Sequence, residues 1–306
     1  MGLLDDLKLQ YKAGGITQKL IFWNVGLFII PLVIFSLLSL FNVNVLFLRW
    51  DIAGTDDWLS LSSVPADLLW KPWSLITYSF LHAGFLHLLF NMMVLYFSGR
   101  LFLTFFTQKQ MFGLYILSAV FAGLVYIVSY NTIPLFTHLG YGKMVGASAA
   151  IMAILVATAV YSPHYQVRLM LIGTVKLWHI AIVFILLDLI NVSVENQGGH
   201  MAHLAGALFG YLYIKALQND KDLSKIVSNV ILFFENLFKP GKKTSHNFKV
   251  HRNTKKKKTV TNPTSRGTQA KNVTQRRIDD ILDKISKSGY ESLTKEEKEF
   301  LFKVGK

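Results

Sequence analysis

Six stretches of this chain, about residues 20–48, 80–106, 111–130, 147–162, 177–194 and 200–217, are predominantly apolar and close to membrane length. A helix needs about 17–25 such residues to cross ~30 Å of hydrocarbon. A backbone surrounded by lipid must satisfy its own hydrogen bonds, so runs of this kind have the helix as their solution. The pattern therefore predicts an all-α, polytopic membrane protein built as a six-transmembrane-helix bundle. The run at 147–162 is short for a full crossing and is expected to begin below the membrane surface, at the end of a buried loop. The first run is too long and starts too late for a cleaved signal peptide, so it reads as a retained span. Composition agrees, since 52% hydrophobic and 13% aromatic residues over 306 positions are too many for an ordinary soluble domain.

Basic residues concentrate in short loops on the cytoplasmic side. Lys8, Lys12 and Lys19 precede the first run, Lys109 lies between the second and third, and Arg168 and Lys176 lie between the fourth and fifth. The opposite loops carry Asp51, Asp56, Asp57, Asp67 and Glu195 against Arg49, Lys71 and Lys143. Both termini are thus expected in the cytoplasm of a cell whose inner membrane holds the bundle, and the second, fourth and sixth spans start in its outer half. Residues 1–19 form the cytoplasmic N-terminal segment, 20–217 the membrane domain, 218–275 a basic juxtamembrane segment and disordered linker, and 276–306 a small helical hairpin. Within the tail, 224–238 has a helical apolar stripe suited to the inner membrane surface, and 240–275 has almost nothing to bury. Eight basic residues between Lys242 and Lys258 account for much of the net charge of +14. Their place beside the membrane favours anionic lipid headgroups as partners, and no nucleic acid is expected. In the hairpin, Ile278, Ile281, Leu282 and Ile285 share a helical face, Gly289 closes the helix, and Thr294 with Glu297 forms a capping box ahead of Phe300, Leu301 and Val304. Its partner is unknown. The chain has no cysteine, which removes thiolate nucleophiles and thiolate metal sites.

Chemistry-bearing side chains gather at the starts of the even-numbered spans. His87 and Asn91 are four apart and project from one helix face, about 6 Å apart along the axis. Together they can donate hydrogen bonds to an oxygen that gains charge during acyl transfer. His82, read as part of the same span, would point well away from His87 toward the outer interface. Ser148 opens the fourth span behind Gly146, where a helix N-terminus offers unpaired N–H groups and partial positive charge. The plainer role for Ser148 is a helix cap. His203 opens the sixth span with Gly206 and Gly210 on nearby parts of one face. Gly-x-x-x-Gly admits a close neighbour, expected to be the fourth span with its Ala149, Ala150, Ala153 and Ala157. That approach brings His203 within reach of Ser148 as the base a serine hydroxyl needs.

On these residues the chain resembles the rhomboid family of intramembrane serine proteases, bacterial type with a cytoplasmic helical extension. The resemblance rests on His82, His87 and Asn91, on Gly146-Ala147-Ser148, and on Ala202-His203-Leu204-x-Gly206-x-x-x-Gly210, and it covers about residues 15–217. It implies a rhomboid-like bundle with a water-filled cavity open to the outside and a Ser-His dyad with no third carboxylate. Ser148 would be the nucleophile, His203 the general base and acid, and His87, Asn91 and the Ser148 amide the oxyanion site. No cofactor is implied. Substrates would be single-span membrane proteins with helix-weakening residues near the outer face, and the fifth span with the loop from Asn191 to Gly199 would form a lateral gate and cap. The chain departs from the family pattern twice, with Ala149 where glycine usually follows the serine and Trp73-Ser74 where Trp-Arg usually stands. Trp50, Trp58, Trp70 and Trp73 suit an interfacial anchor in the first loop.

Other readings compete. His82, His87, His200 and His203 raise a metal site, but there is no His-Glu-x-x-His run and no carboxylate placed to complete one, so none is expected. A non-catalytic relative could bind membrane-protein clients through the same fold. Asp188 in the fifth span raises proton-coupled transport, against which a hydrogen bond to a neighbouring helix is the simpler role.

Overall fold

The computed structural model describes residues 2–41, 58–169, 173–238 and 266–304. The expected basic cluster from Lys242 to Lys258, Trp50, and the end of the first apolar run lie outside these residues. Two compact units are present, residues 1–242 and 243–306.

In the first unit the helices are α1 (Leu3–Ala13), α2 (Ile16–Leu40), α3 (Asp67–Trp70), α4 (Ser74–Thr77), α5 (Phe85–Phe105), α6 (Gln108–Thr132), α7 (Pro134–Thr137), α8 (Ser148–Tyr161), α9 (Leu177–Asn191), α10 (Gln197–Gln218) and α11 (Ser224–Phe238). The six apolar runs correspond to α2, α5, α6, α8, α9 and α10. Of these, α2, α5 and α6 are long and apolar enough to cross a membrane by length and composition alone, while α8 and α9 are shorter, at 14 and 15 residues.

The short α8 is the centre of the bundle. Residues Ala149 to Ala159 are all buried, and the helix is contacted by α5, α6, α9 and α10. Its alanines explain the position, because a helix enclosed on all sides must present little bulk wherever a neighbouring backbone crosses. α10 comes closest. A Cβ built on Gly206 would overlap the Ala149 carbonyl, and one built on Gly210 would overlap that of Ala153. The glycine pair and the alanine row therefore fit one another as their spacing predicts.

Two short strand pairs supplement the helices. β1 (Leu61–Ser62) lies antiparallel to β2 (Lys143–Met144), tying the first loop to the segment that leads into α8. β3 (Gln166–Leu169) and β4 (Gly173–Lys176) form a hairpin ahead of α9. In the first loop Trp58 and Trp73 stack with ring centroids 6.4 Å apart, and the Trp73 indole N–H donates to the Trp58 carbonyl. Trp70 is exposed. The juxtamembrane α11 packs against α6 where Gly113 meets Ser224, and leaves Ile226, Val230, Phe233 and Leu237 exposed.

The second unit is a helical hairpin, α12 (Arg266–Ser288) and α13 (Lys295–Val304). α12 starts ten residues ahead of the expected boundary at 276, so residues 266–275 are helical and do not belong to a disordered linker. A polar composition reports that a segment buries little, but adding turns to a helix already nucleated costs far less than starting one. Gly289, with φ 77°, closes α12 as expected. Glu297 accepts from the Thr294 N–H at 2.8 Å, and its own N–H donates to the Thr294 hydroxyl, completing the capping box. Ile281 and Leu293 are buried, Ile278, Ile285, Phe300 and Leu301 are partly buried, and Leu282 is exposed, at the edge of the face it shares with Ile278, Ile281 and Ile285.

Candidate active site

The approach of α10 to α8 places His203 Nε2 2.6 Å from Ser148 Oγ. Ser148 is the first residue of α8 and Ala147 is its cap residue. The serine hydroxyl is therefore not engaged as a helix cap, and the Ser148 N–H is among the first four of the helix, which have no carbonyl within it to bond. Ahead of it Gly146 holds φ 132°, a conformation that side chains rarely adopt, and donates its N–H to the Tyr78 carbonyl at 2.9 Å. A Cβ there would stand 3.1 Å from His87 Nε2 and 3.4 Å from Ser148 Oγ, so glycine is what allows the imidazole and the serine to share one space.

His87 faces this space with its Nε2. Its Nδ1 accepts from the Ala83 N–H at 3.3 Å, and a neutral imidazole that accepts at one nitrogen carries its proton on the other. Nε2–H is then a donor beside Gly146. Asn91, one turn further along α5, is buried and donates one amide hydrogen to the His87 carbonyl at 2.8 Å. Its second amide hydrogen remains for another acceptor.

His82 departs from expectation. It is fully buried, and its ring lies 5.1 Å from that of His87 instead of pointing to the outer interface. The helical periodicity was extended too far back: α5 starts only at Phe85, after Gly84 with φ 152°, and the chain before it folds under the site. His82 supports His87 by packing against its ring edge.

Two openings meet at Ser148, His87 and His203. One is a cavity of about 420 Å³ between the starts of α5, α8 and α10, lined also by Tyr126, Tyr130, Asn196 and Gly199. Asn196 caps α10 in a left-handed conformation, φ 42°. The other is an apolar groove of about 250 Å³ leading sideways between α5 and α9, lined by Phe90, Asn91 and Val94 on one side, by Phe184 and Leu187 on the other, and by Ile151 and Met152 of α8. The cavity and the apolar lateral groove thus reach the same hydroxyl.

A carboxylate stands behind the histidine, contrary to the serine–histidine pair alone that the resemblance implied. Asp188 of α9 is buried, and its Oδ1 accepts from His203 Nδ1 at 2.8 Å and from His200 Nδ1 at 2.7 Å. The expected hydrogen bond from Asp188 to a neighbouring helix is present, and its partner is the candidate base. Asp188, His200 and His203 also offer three ligand atoms within 4.8 Å of one another, the geometry from which a cation site could be built. Both imidazoles, however, aim Nδ1 at a single carboxylate oxygen at ordinary charge-assisted hydrogen-bond lengths. His200 went unnoticed as a companion of this acid, although it lies three residues before His203 on the same face of α10.

Comparison with known proteins gives two matches. The Rhomboid domain profile matches residues 69–219, from the first loop through α10. A family of unknown function, DUF6576, matches residues 266–304, the span of α12 and α13. No curated protein matches the chain.

Proposed function

With a Rhomboid domain at residues 69–219 the chain belongs to the rhomboid family, and we propose that it is an intramembrane serine endopeptidase that cuts single-span membrane proteins. The observation that carries this reading is the 2.6 Å contact between Ser148 Oγ and His203 Nε2 where a cavity and a lipid-side groove meet.

The steps follow from the geometry. A substrate segment enters through the groove between α5 and α9 and unwinds, because a peptide carbonyl within a helix is already bonded and shielded. Ser148 Oγ attacks the scissile carbonyl carbon as its proton passes to His203 Nε2. The oxygen that gains charge is met by the Ser148 N–H, His87 Nε2–H and the Asn91 amide, each such donor contributing roughly 3–4 kcal/mol to the transition state. His203 then gives the proton to the leaving nitrogen as the C–N bond breaks, leaving an ester on Ser148. Water from the cavity attacks that ester while His203 takes its proton, and the Ser148 hydroxyl is regenerated. Ala149, where glycine usually follows the serine, is buried against the Gly206 backbone and lines the cavity beside Ser148.

The basic N-terminal segment and inter-span loops support an orientation with both termini in the cytoplasm and the cavity open outward from a cell's inner membrane. The lysine-rich tail supports contact with anionic headgroups.

Cleavage of a model single-span protein in liposomes tests the proposal, comparing wild type with Ser148→Ala and His203→Ala. Cleavage is expected in the wild type and in neither variant. A wild type that cuts none of several substrates with unstable spans would favour a client-binding protein of the same fold.

A further inference from the structure

α9 is apolar from Ile180 to Ile190 except for Asp188, and the three described buried residues of that helix are Leu177, Ala181 and Asp188. A carboxylate taken out of water is costly unless donors hold it. Both donors here are imidazole N–H groups of α10, and one of them belongs to His203.

We propose that Asp188 is a positioning residue for the Ser148–His203 pair, so that hydroxyl, imidazole and carboxylate form a relay across α8, α10 and α9, with His200 pinning the same carboxylate oxygen. This rests on reading the site as a serine hydrolase. The two ring nitrogens of His203 are engaged on opposite sides, Nε2 with Ser148 Oγ at 2.6 Å and Nδ1 with Asp188 Oδ1 at 2.8 Å. A neutral imidazole has one donor and one acceptor nitrogen. An ionised carboxylate only accepts, so it fixes the proton on Nδ1 and leaves the Nε2 lone pair facing the serine hydroxyl. Without Asp188 the other tautomer competes, and that tautomer cannot take the serine proton. When His203 becomes imidazolium during attack, its charge forms 2.8 Å from a fixed, buried anion. Asp188 keeps its charge throughout and takes no proton. His200 contributes a second donor to Oδ1 from one turn earlier on α10, which holds the carboxylate in register with His203.

A purely architectural role, tying α9 to α10, predicts different results. Full-length protein in liposomes is compared as wild type, Asp188→Asn, Asp188→Leu and Asp188→Glu. The readouts are kcat and KM for a single-span substrate, the rate at which a fluorophosphonate labels Ser148, thermal unfolding, and the ¹⁵N signals of His203. For Asn and Leu we expect kcat to fall ~10²–10⁴-fold, with labelling slowed in parallel. KM should stay within about twofold, because substrate binding is not what the carboxylate serves. Glu should recover part of the rate, and the ¹⁵N signals should move from the Nδ1–H form in the wild type toward the Nε2–H form in the Leu variant. Leu or Asn variants that label and cleave at the wild-type rate would overturn the inference while leaving the hydrolase reading intact. So would rates that fall only in step with unfolding and fail to recover with Glu. A wild type that neither cleaves nor labels would remove the hydrolase reading and this inference together. Activity lost on chelation and restored by zinc would replace the relay with a metal site.

Discussion

Replacing Gly206 by alanine adds one methyl group at the tightest crossing in the bundle. The new Cβ would overlap the Ala149 carbonyl and lie 3.1 Å from Ala149 Cα. These are backbone atoms, which have no rotamer to yield, so the helices themselves must part. Ordinary contact needs about 3.5–4.0 Å between carbon atoms, so α8 and α10 would have to separate by roughly 1 Å. His203 is one turn before Gly206 and Ser148 is next to Ala149, so the separation falls directly on the 2.6 Å hydrogen bond between them. Overpacking of this kind costs about 1–3 kcal/mol of stability. A displacement near 1 Å at reacting groups costs ~10² in rate. Cleavage and fluorophosphonate labelling of Gly206→Ala in liposomes should both drop by that factor at a temperature where the protein stays folded. Leu208→Ala, on the exposed side of the same helix, should leave both unchanged. Wild-type labelling in Gly206→Ala would mean that close helix contact does not set the Ser148–His203 geometry, and the account of α8 and α10 would fail.

Two further outcomes are expected. Glu297 is held below the ordinary glutamate value of 4.5, first by the Thr294 N–H and then by the Lys284 ammonium. A carboxyl lowered on folding contributes stability above its unfolded value, and that contribution is lost as pH falls through its folded value. Amide protection factors in the hairpin of the full chain, taken relative to intrinsic exchange at each pH, should therefore hold down to about pH 4.5 and fall below it, with the pH dependence flattened in Glu297→Gln. Deleting residues 240–306 should leave cleavage unchanged, since the residues that line the site all lie between Tyr78 and His203. Loss of cleavage by the truncated protein in detergent would contradict this.

Much of the site was legible because it is local in sequence. Gly146-Ala147-Ser148 carries a positive-φ glycine, a helix start and the proposed nucleophile in three residues, and His203 with Gly206 and Gly210 states both the proposed base and the surface that brings it close. His82 was misread because helical period was carried through Gly84, whose φ of 152° ends it. The early start of α12 was missed because polar composition says little about whether an existing helix will extend. The carboxylate behind His203 was illegible for another reason. An acid on α9 meets a histidine on α10 only if the turn between them aims both inward. That turn depends on Asn196 at φ 42°, and on a close fit of Gly198 against Tyr126 and Tyr130. Neither is a pattern that a linear reading can weigh.

The placement of Asp188 also bears on how a site that opens on a lateral groove can hold the proposed catalytic geometry. Phe184 and Leu187 line the lateral groove, and Asp188 follows them on the same helix. Most of α9 is exposed, Leu177 and Ala181 anchor its opposite end, and near the groove Ile185 packs partly buried against the core while Asp188 adds the pair of hydrogen bonds to His200 and His203. A hydrophobic anchor there would hold the helix equally well, but it would leave the base without an orienting partner. The acid serves both needs, and the two can be separated by experiment. Asp188→Leu should keep α9 in place and lose rate, whereas a change that only loosens α9, such as Ala181→Gly, should change substrate entry while His203 keeps its proton on Nδ1.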